Sequence, residues 1–168
     1  MAHDFDTKGP ISEEDMARGF SGNPSAPVKE VYIALSKITD PVTGVADKSK
    51  IELQLSFSWV EWLTKDSKTI RNKPGNYSYD NFMKIFSNYR PTVYFSDYYK
   101  CPYLKFTDEQ GILHTVWYED ERSVEEKIKL AQLFGIGGIS LWRLGNIPDG
   151  KNVANINIYQ EVWGKITD

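Results

Sequence analysis

The chain has 168 residues, a formal net charge of −3 and one cysteine, Cys101. That length suits one domain or part of one, and the acidic balance argues against an electrostatic nucleic-acid binder. No apolar run is long enough to span a bilayer, and a lone cysteine excludes an internal disulfide and a cysteine-built metal site. In chain order, Met1 to Phe5 reads as a short strand. Asp6 to Pro27 is a polar loop rich in Gly, Pro and Ser, longer than ordinary connections. Within it, Glu13, Glu14 and Asp15 read as a solvated charge run or a helix start, not a metal cluster. Val28 to Ile38 has helical spacing at Val28, Val31, Tyr32 and Leu35, and Asp40, Pro41 and Gly44 mark the turn after it.

Lys50 to Phe57 alternates as a strand, with Ile51, Leu53, Leu55 and Phe57 on one face and Glu52, Gln54 and Ser56 on the other. Trp59 to Ser78 reads as polar loop and Tyr79 to Tyr89 as a helix. Thr92 to Ser96, Cys101 to Phe106 and Leu113 to Tyr118 follow as strands, the last two joined by a turn at Asp108 to Gly111. Ser123, with Glu126 three residues on, predicts a capping box at the start of a helix. Val124, Ile128, Leu130, Ala131 and Leu133 give that helix an apolar face, and Gly135 stops it. Ile136 to Leu141 is too short and too apolar for a half-exposed strand, which suits a parallel strand buried on both faces. Ile156 to Ile166 suits a closing helix with Ile158, Tyr159, Val162, Trp163 and Ile166 buried. The pattern is α/β, and Trp142 falls at the C-terminal end of the last strand, where α/β barrels build their sites.

Three stretches carry a family resemblance. Gly137, Gly138, Ile139, Ser140, Leu141 and Trp142 resemble the eighth barrel strand of glycoside hydrolase family 18, the chitinase-like barrels. Upstream, Tyr118, Glu119, Asp120, Ser123 and Lys127 resemble the aromatic-acidic-acidic stretch and following Ser and Lys of the same family. Met1, Ala2, His3 and Asp4 resemble its sixth-strand motif, Met-x-Tyr-Asp, with His3 where Tyr is usual. The likeness is to the branch acting on cell-wall and spore-wall glycans. It implies a partial (β/α)8 barrel, about strand six to helix eight, over residues 1–168. The strands within about 59–118 would then form a small α+β insertion after strand seven.

The resemblance also implies what is missing. The family signature Asp-x-x-Asp-x-Glu, which supplies the general acid and the group that orients the substrate's N-acetyl, occurs nowhere in the chain. In the family it lies on the fourth strand, so it is expected upstream of Met1, in a longer parent of which Met1 is an internal residue. No catalytic residue is therefore expected here, and the chain alone is expected to be inactive. In such a fragment, the lack of a signal peptide says nothing about secretion. The implied substrate is a glycan containing N-acetylglucosamine, of the chitin or peptidoglycan type. The implied chemistry is substrate-assisted and retaining, with no cofactor and no metal. The implied location is extracellular or at the cell wall. The missing N-terminal half is an implied partner, and a half-barrel with open edges invites a homo-oligomer.

Six residues are substrate-binding candidates. Trp142 resembles the aromatic floor beneath the sugar being cleaved, although a strand-end Trp taken alone is a core residue. Asp4 resembles the sixth-strand acid that hydrogen-bonds substrate, the alternative being a strand cap. His3 stands where a Tyr hydroxyl holds the N-acetyl oxygen, and a neutral imidazole can donate one such bond. Arg143 suits a carboxylate or the strand ends. Glu119 and Asp120 point to opposite faces as strand neighbours, so they cannot flank one glycosidic bond; Glu119 suits either a site role or the positioning of its loop. Trp59, with Trp62, falls on the ligand side after strand seven and suits either cleft or insertion core. The aromatic content of 14% fits a sugar cleft and an aromatic core alike. The rival function is a non-catalytic, lectin-like or scaffold module derived from the same barrel.

Overall fold

The computed structural model describes residues 2–5, 22–66, 68–70, 75–77, 79–143, 146 and 158–167. The Glu13, Glu14 and Asp15 run and most of the loop around it lie outside these residues. The elements are α1 (Val28–Ile38), a 3-10 turn (Lys48–Lys50), β1 (Glu52–Ser56), β2 (Trp59–Lys65), β3 (Lys68–Thr69) and β4 (Gly75–Tyr77). After them come α2 (Tyr79–Tyr89), β5 (Thr92–Ser96), β6 (Cys101–Thr107), β7 (Leu113–Trp117), α3 (Glu121–Phe134), β8 (Gly138–Trp142) and α4 (Ile158–Thr167). The molecule is a mixed α/β structure.

Its two sheets follow from two patterns. β1 and β8 pair in parallel, from Glu52 opposite Gly138 to Ser56 opposite Trp142, and the pairing extends through the Phe57 N–H to the Trp142 carbonyl at 2.6 Å. Ile51, Leu53, Leu55 and Phe57 are all buried, as their alternation predicts. Gly137 lets β8 enter beside the 3-10 turn: a Cβ there would stand 2.0 Å from the Ser49 carbonyl oxygen. Between β1 and β8 in the chain lies an antiparallel sheet of order β3-β2-β7-β6-β5, with β4 also on β2. Its Leu104, Phe106 and Val116 share one core with Val31, Leu53, Leu55 and Val124 of the parallel part.

Among the described residues the parallel sheet has two strands and forms no closed barrel. Several expectations need correction. Residues 2–4 form no ladder with β1. Asp4 has a φ of 65°, outside the strand region, and its N–H and that of Phe5 turn toward Ser25 instead. Trp59 to Ser78 is largely strand rather than loop. Both faces of β2 are buried, with Val60 and Trp62 on one side and Trp59 and Glu61 on the other, which removes the polar alternation. Buried indoles need acceptors, and Trp62 and Trp117 donate to the carbonyls of Asn23 and Gly22, both at 3.0 Å.

The capping box of α3 sits three residues earlier than expected. Asp120 is its N-cap, accepting from the Ser123 N–H at 3.1 Å, while Ser123 Oγ accepts from the Asp120 N–H at 3.0 Å. An aspartate caps as well as a serine, and Ser123 takes the N3 role expected of Glu126. Gly135, at φ 62°, ends the helix as predicted. Leu133 is 70% exposed rather than part of the apolar face, whose buried members are Val124 and Ala131. In α4, Val162 is buried as expected, and Trp163 and Ile166 are partly so. Ile156 and the side chains of Ile158 and Tyr159 lie outside the described residues.

Candidate functional site

The carboxyl ends of β1 and β8 carry one polar face. Strand alternation puts Gln54 and Ser56 opposite the buried Leu53 and Leu55, and the parallel register sets Ser140 beside Gln54 and Trp142 beside Ser56. Trp142 is 52% exposed at the end of β8, unlike the buried Trp59, Trp62 and Trp117. A cis peptide bond joins it to Arg143, which is also exposed. His3 comes to this face from the N-terminal segment, its Nε2 standing 2.7 Å from Gln54 Oε1. Its Nδ1 lies 2.9 Å from Asp4 Oδ1 without the alignment of a hydrogen bond. The His3 ring is buried while the Asp4 carboxylate is open to solvent. His3 thus meets β1, whose partner β8 ends in Trp142, with Arg143 next in the chain.

The other two candidates lie inside the protein. Trp59 is 2% exposed and stacks on Tyr118, with centroids 5.1 Å apart and planes at 17°. Its indole N–H donates to the Asn146 carbonyl at 3.3 Å. Glu119 is buried at the end of β7, and both its carboxylate oxygens accept from Lys127 Nζ at 2.5 Å. Burial raises the Glu119 pKa above the usual carboxylate value, against the pull of the adjacent ammonium. Asp120 faces the helix end and Arg122, whose two nitrogens donate to Oδ2 at 2.6 and 3.0 Å.

Chemically, the exposed groups are the Trp142 indole, the Arg143 guanidinium and the Asp4 carboxylate, while the His3 imidazole is buried against the Gln54 amide. Such a set can stack on a sugar ring and hydrogen-bond its substituents. Among the described residues no group of His, Cys, Asp and Glu could hold a metal ion. Sequence reasoning placed Gln54 on this face but did not select it as a site residue. Its contact with His3 joins two segments 51 positions apart, so no local pattern signals it. The partners of Trp59 are invisible for the same reason.

The described geometry is an exposed aromatic at the carboxyl end of a parallel strand pair in an α/β fold. The family model of glycosyl hydrolases family 18 matches residues 2–146, and the chain belongs to that family. The cortical fragment-lytic enzyme of Bacillus anthracis is 48% identical over 46 residues, 27% of this chain and 11% of that enzyme. The spore cortex-lytic enzyme SleL of Bacillus cereus matches in structure with a TM-score of 0.65 at 21% identity, over 96% of this chain and 34% of that one. A chitinase from Chromobacterium violaceum matches with a TM-score of 0.69 at 18% identity, over all of this chain and 44% of that one. At these identities the structural likeness shows a shared fold. The chain spans less than half the length of these proteins.

Proposed function

We propose that the chain is the C-terminal portion of a family 18 barrel, with residues 59–118 as an insertion, acting on β-1,4 glycans that contain N-acetylglucosamine. In this reading Trp142 is the floor beneath the reacting sugar, and His3, Asp4 and Arg143 hold its substituents. The general acid lies outside the chain, since Asp-x-x-Asp-x-Glu is absent from it. In the assembled site, that acid protonates the glycosidic oxygen while the substrate's own N-acetyl oxygen attacks the anomeric carbon, so configuration is retained. The whole protein would act at the cell wall or outside the cell, as a relative that lyses spore cortex suggests. No helix of the described residues is long and apolar enough to cross a membrane.

The observation that carries this reading is the half-exposed Trp142 at the end of a parallel strand. An indole left open to solvent at a strand end is available to stack on a sugar. Titration of the chain with tetra-N-acetylchitotetraose, followed by calorimetry, tests it. Trp142→Ala should abolish binding while costing less than ~1 kcal/mol of stability, in the range of surface substitutions. Undiminished binding by the variant, or unfolding alone, overturns the assignment. Turnover by the chain itself would show that the acid is not outside it. Binding without cleavage by the full-length protein would mark a lectin-like relative.

A further inference from the structure

We propose that Gln54 is a positioning residue for the sugar-facing site, acting through the buried His3 ring on the Asp4 carboxylate. The inference deepens the glycan reading and rests on it only for its consequence in binding. Gln54 itself is anchored. Its backbone lies at the middle of β1, in register with Ser140 of β8, and the flanking Leu53 and Leu55 are 2% and 1% exposed. From that fixed point the side chain meets His3, with Oε1 2.7 Å from Nε2. A carbonyl oxygen only accepts, so the imidazole carries a proton on Nε2 and donates it there.

That bond decides which way the ring faces. With Nε2 on Gln54, the other nitrogen, Nδ1, is turned to Asp4 Oδ1 at 2.9 Å. Nδ1 makes no aligned hydrogen bond of its own, so Gln54 is the directional anchor of the ring. The ring is 5% exposed and the carboxylate 65%, so a buried imidazole backs an open acid. Among the described residues, His3 supplies the polar contact of that carboxylate. The Asp4 backbone is held separately. Its φ of 65° lies in the left-handed region, a conformation that persists where neighbours over-determine it. Here the Asp4 N–H donates to Ser25 Oγ at 3.3 Å and the Phe5 N–H to the Ser25 carbonyl at 2.9 Å. Ser25 thus fixes where the acid starts, and Gln54, through His3, fixes how it is presented. Gln54 touches no sugar in this arrangement; it sets the group that does.

The test is nitrogen NMR of the His3 ring in the 168-residue chain, which reports where the ring is protonated. In the unsubstituted protein Nε2 should carry a proton that exchanges slowly with water. Gln54→Leu removes the acceptor, and the proton should leave Nε2 for Nδ1 beside Asp4. Gln54→Glu keeps an oxygen acceptor in the same place and should restore the protonated Nε2. A bare Nε2 in the unsubstituted chain, accepting from the Gln54 amide, overturns the proposal. So does a His3 spectrum that Gln54→Leu leaves unchanged. If Gln54→Leu does not fold, the protonation and slow exchange of Nε2 in the unsubstituted chain decide. The functional readout is binding of tetra-N-acetylchitotetraose. It should weaken about tenfold in Gln54→Leu, the size of one lost hydrogen bond, and recover in Gln54→Glu at an unchanged melting temperature. Equal weakening in both variants, or undiminished binding in Gln54→Leu, overturns the positioning role. Because the ring spectrum needs no sugar, a chain that binds no glycan yet shows the protonated Nε2 sinks the glycan reading alone.

Discussion

Lys127 is the clearest case of a side chain whose partner decides its effect. Its ammonium and the Glu119 carboxylate are both almost wholly buried, 2% and 4% exposed, and each is the other's counter-charge. Removing one member leaves an uncompensated charge, so Lys127→Met should destabilise the chain by about 3–5 kcal/mol. Replacing both, as Glu119→Gln with Lys127→Met, should recover most of that loss. Urea denaturation of the single and double variants checks both values, and a double variant no better than the single would remove the pair from the account. The sequence motif marks these two residues together, but nothing in it distinguishes a site acid from a buried counter-ion. That distinction needs the eight-residue reach from the end of β7 to the second turn of α3.

At the scale of elements, legibility tracks periodicity. The bounds of α1, α2 and β5 match their sequence expectations, and for α1 the helical spacing at Val28, Val31, Tyr32 and Leu35 is the reason. β2 was illegible because Glu61, a charge that reads as loop, is buried and answered by His114. His114 Nδ1 lies 2.5 Å from Glu61 Oε1, and Nε2 lies 3.1 Å from Asp108 Oδ2, so the imidazolium satisfies both. Burial lowers the His114 pKa, but the hydrogen bonds to Glu61 and then Asp108 outweigh it, and the net shift is upward. A raised folded pKa means stability that is full below the unfolded value of about 6.5 and lost as pH rises through the folded value. The urea midpoint should therefore fall from about pH 6 to pH 8, and His114→Gln should flatten that slope. In α3, Asp120 both caps the helix and holds Arg122, so Asp120→Ala should cost at least ~1 kcal/mol. A smaller change in the thermal midpoint than Ser123→Ala produces would argue against it as the cap.

The whole molecule is unevenly covered, and that asymmetry bears on its state in solution. The antiparallel sheet is packed against the core, with Leu104 and Val116 fully buried. The parallel pair buries Leu53 and Leu55 in the same core, but among the described residues β1 and β8 each have one edge without a ladder partner. Ile139 and Leu141 are only partly buried, and a cavity of 290 Å³ opens between α3, β8 and α4, lined by Ile128, Ile136, Ile139 and Ile166. Unpaired edges template further pairing, and a two-stranded unit draws little stability from itself. The Gly-Gly-apolar strand that identified the family in the sequence is therefore also the one with an open edge. The chain alone should associate with itself through this edge, giving a sedimentation coefficient that rises with concentration. Ile139→Lys, which places a charge on the apolar side of the open strand, should return it to a monomer while leaving the His114 clamp intact. Sedimentation of both proteins over a hundredfold range, about micromolar upward, separates the outcomes: a chain monomeric throughout means that the strand edge is satisfied without a partner.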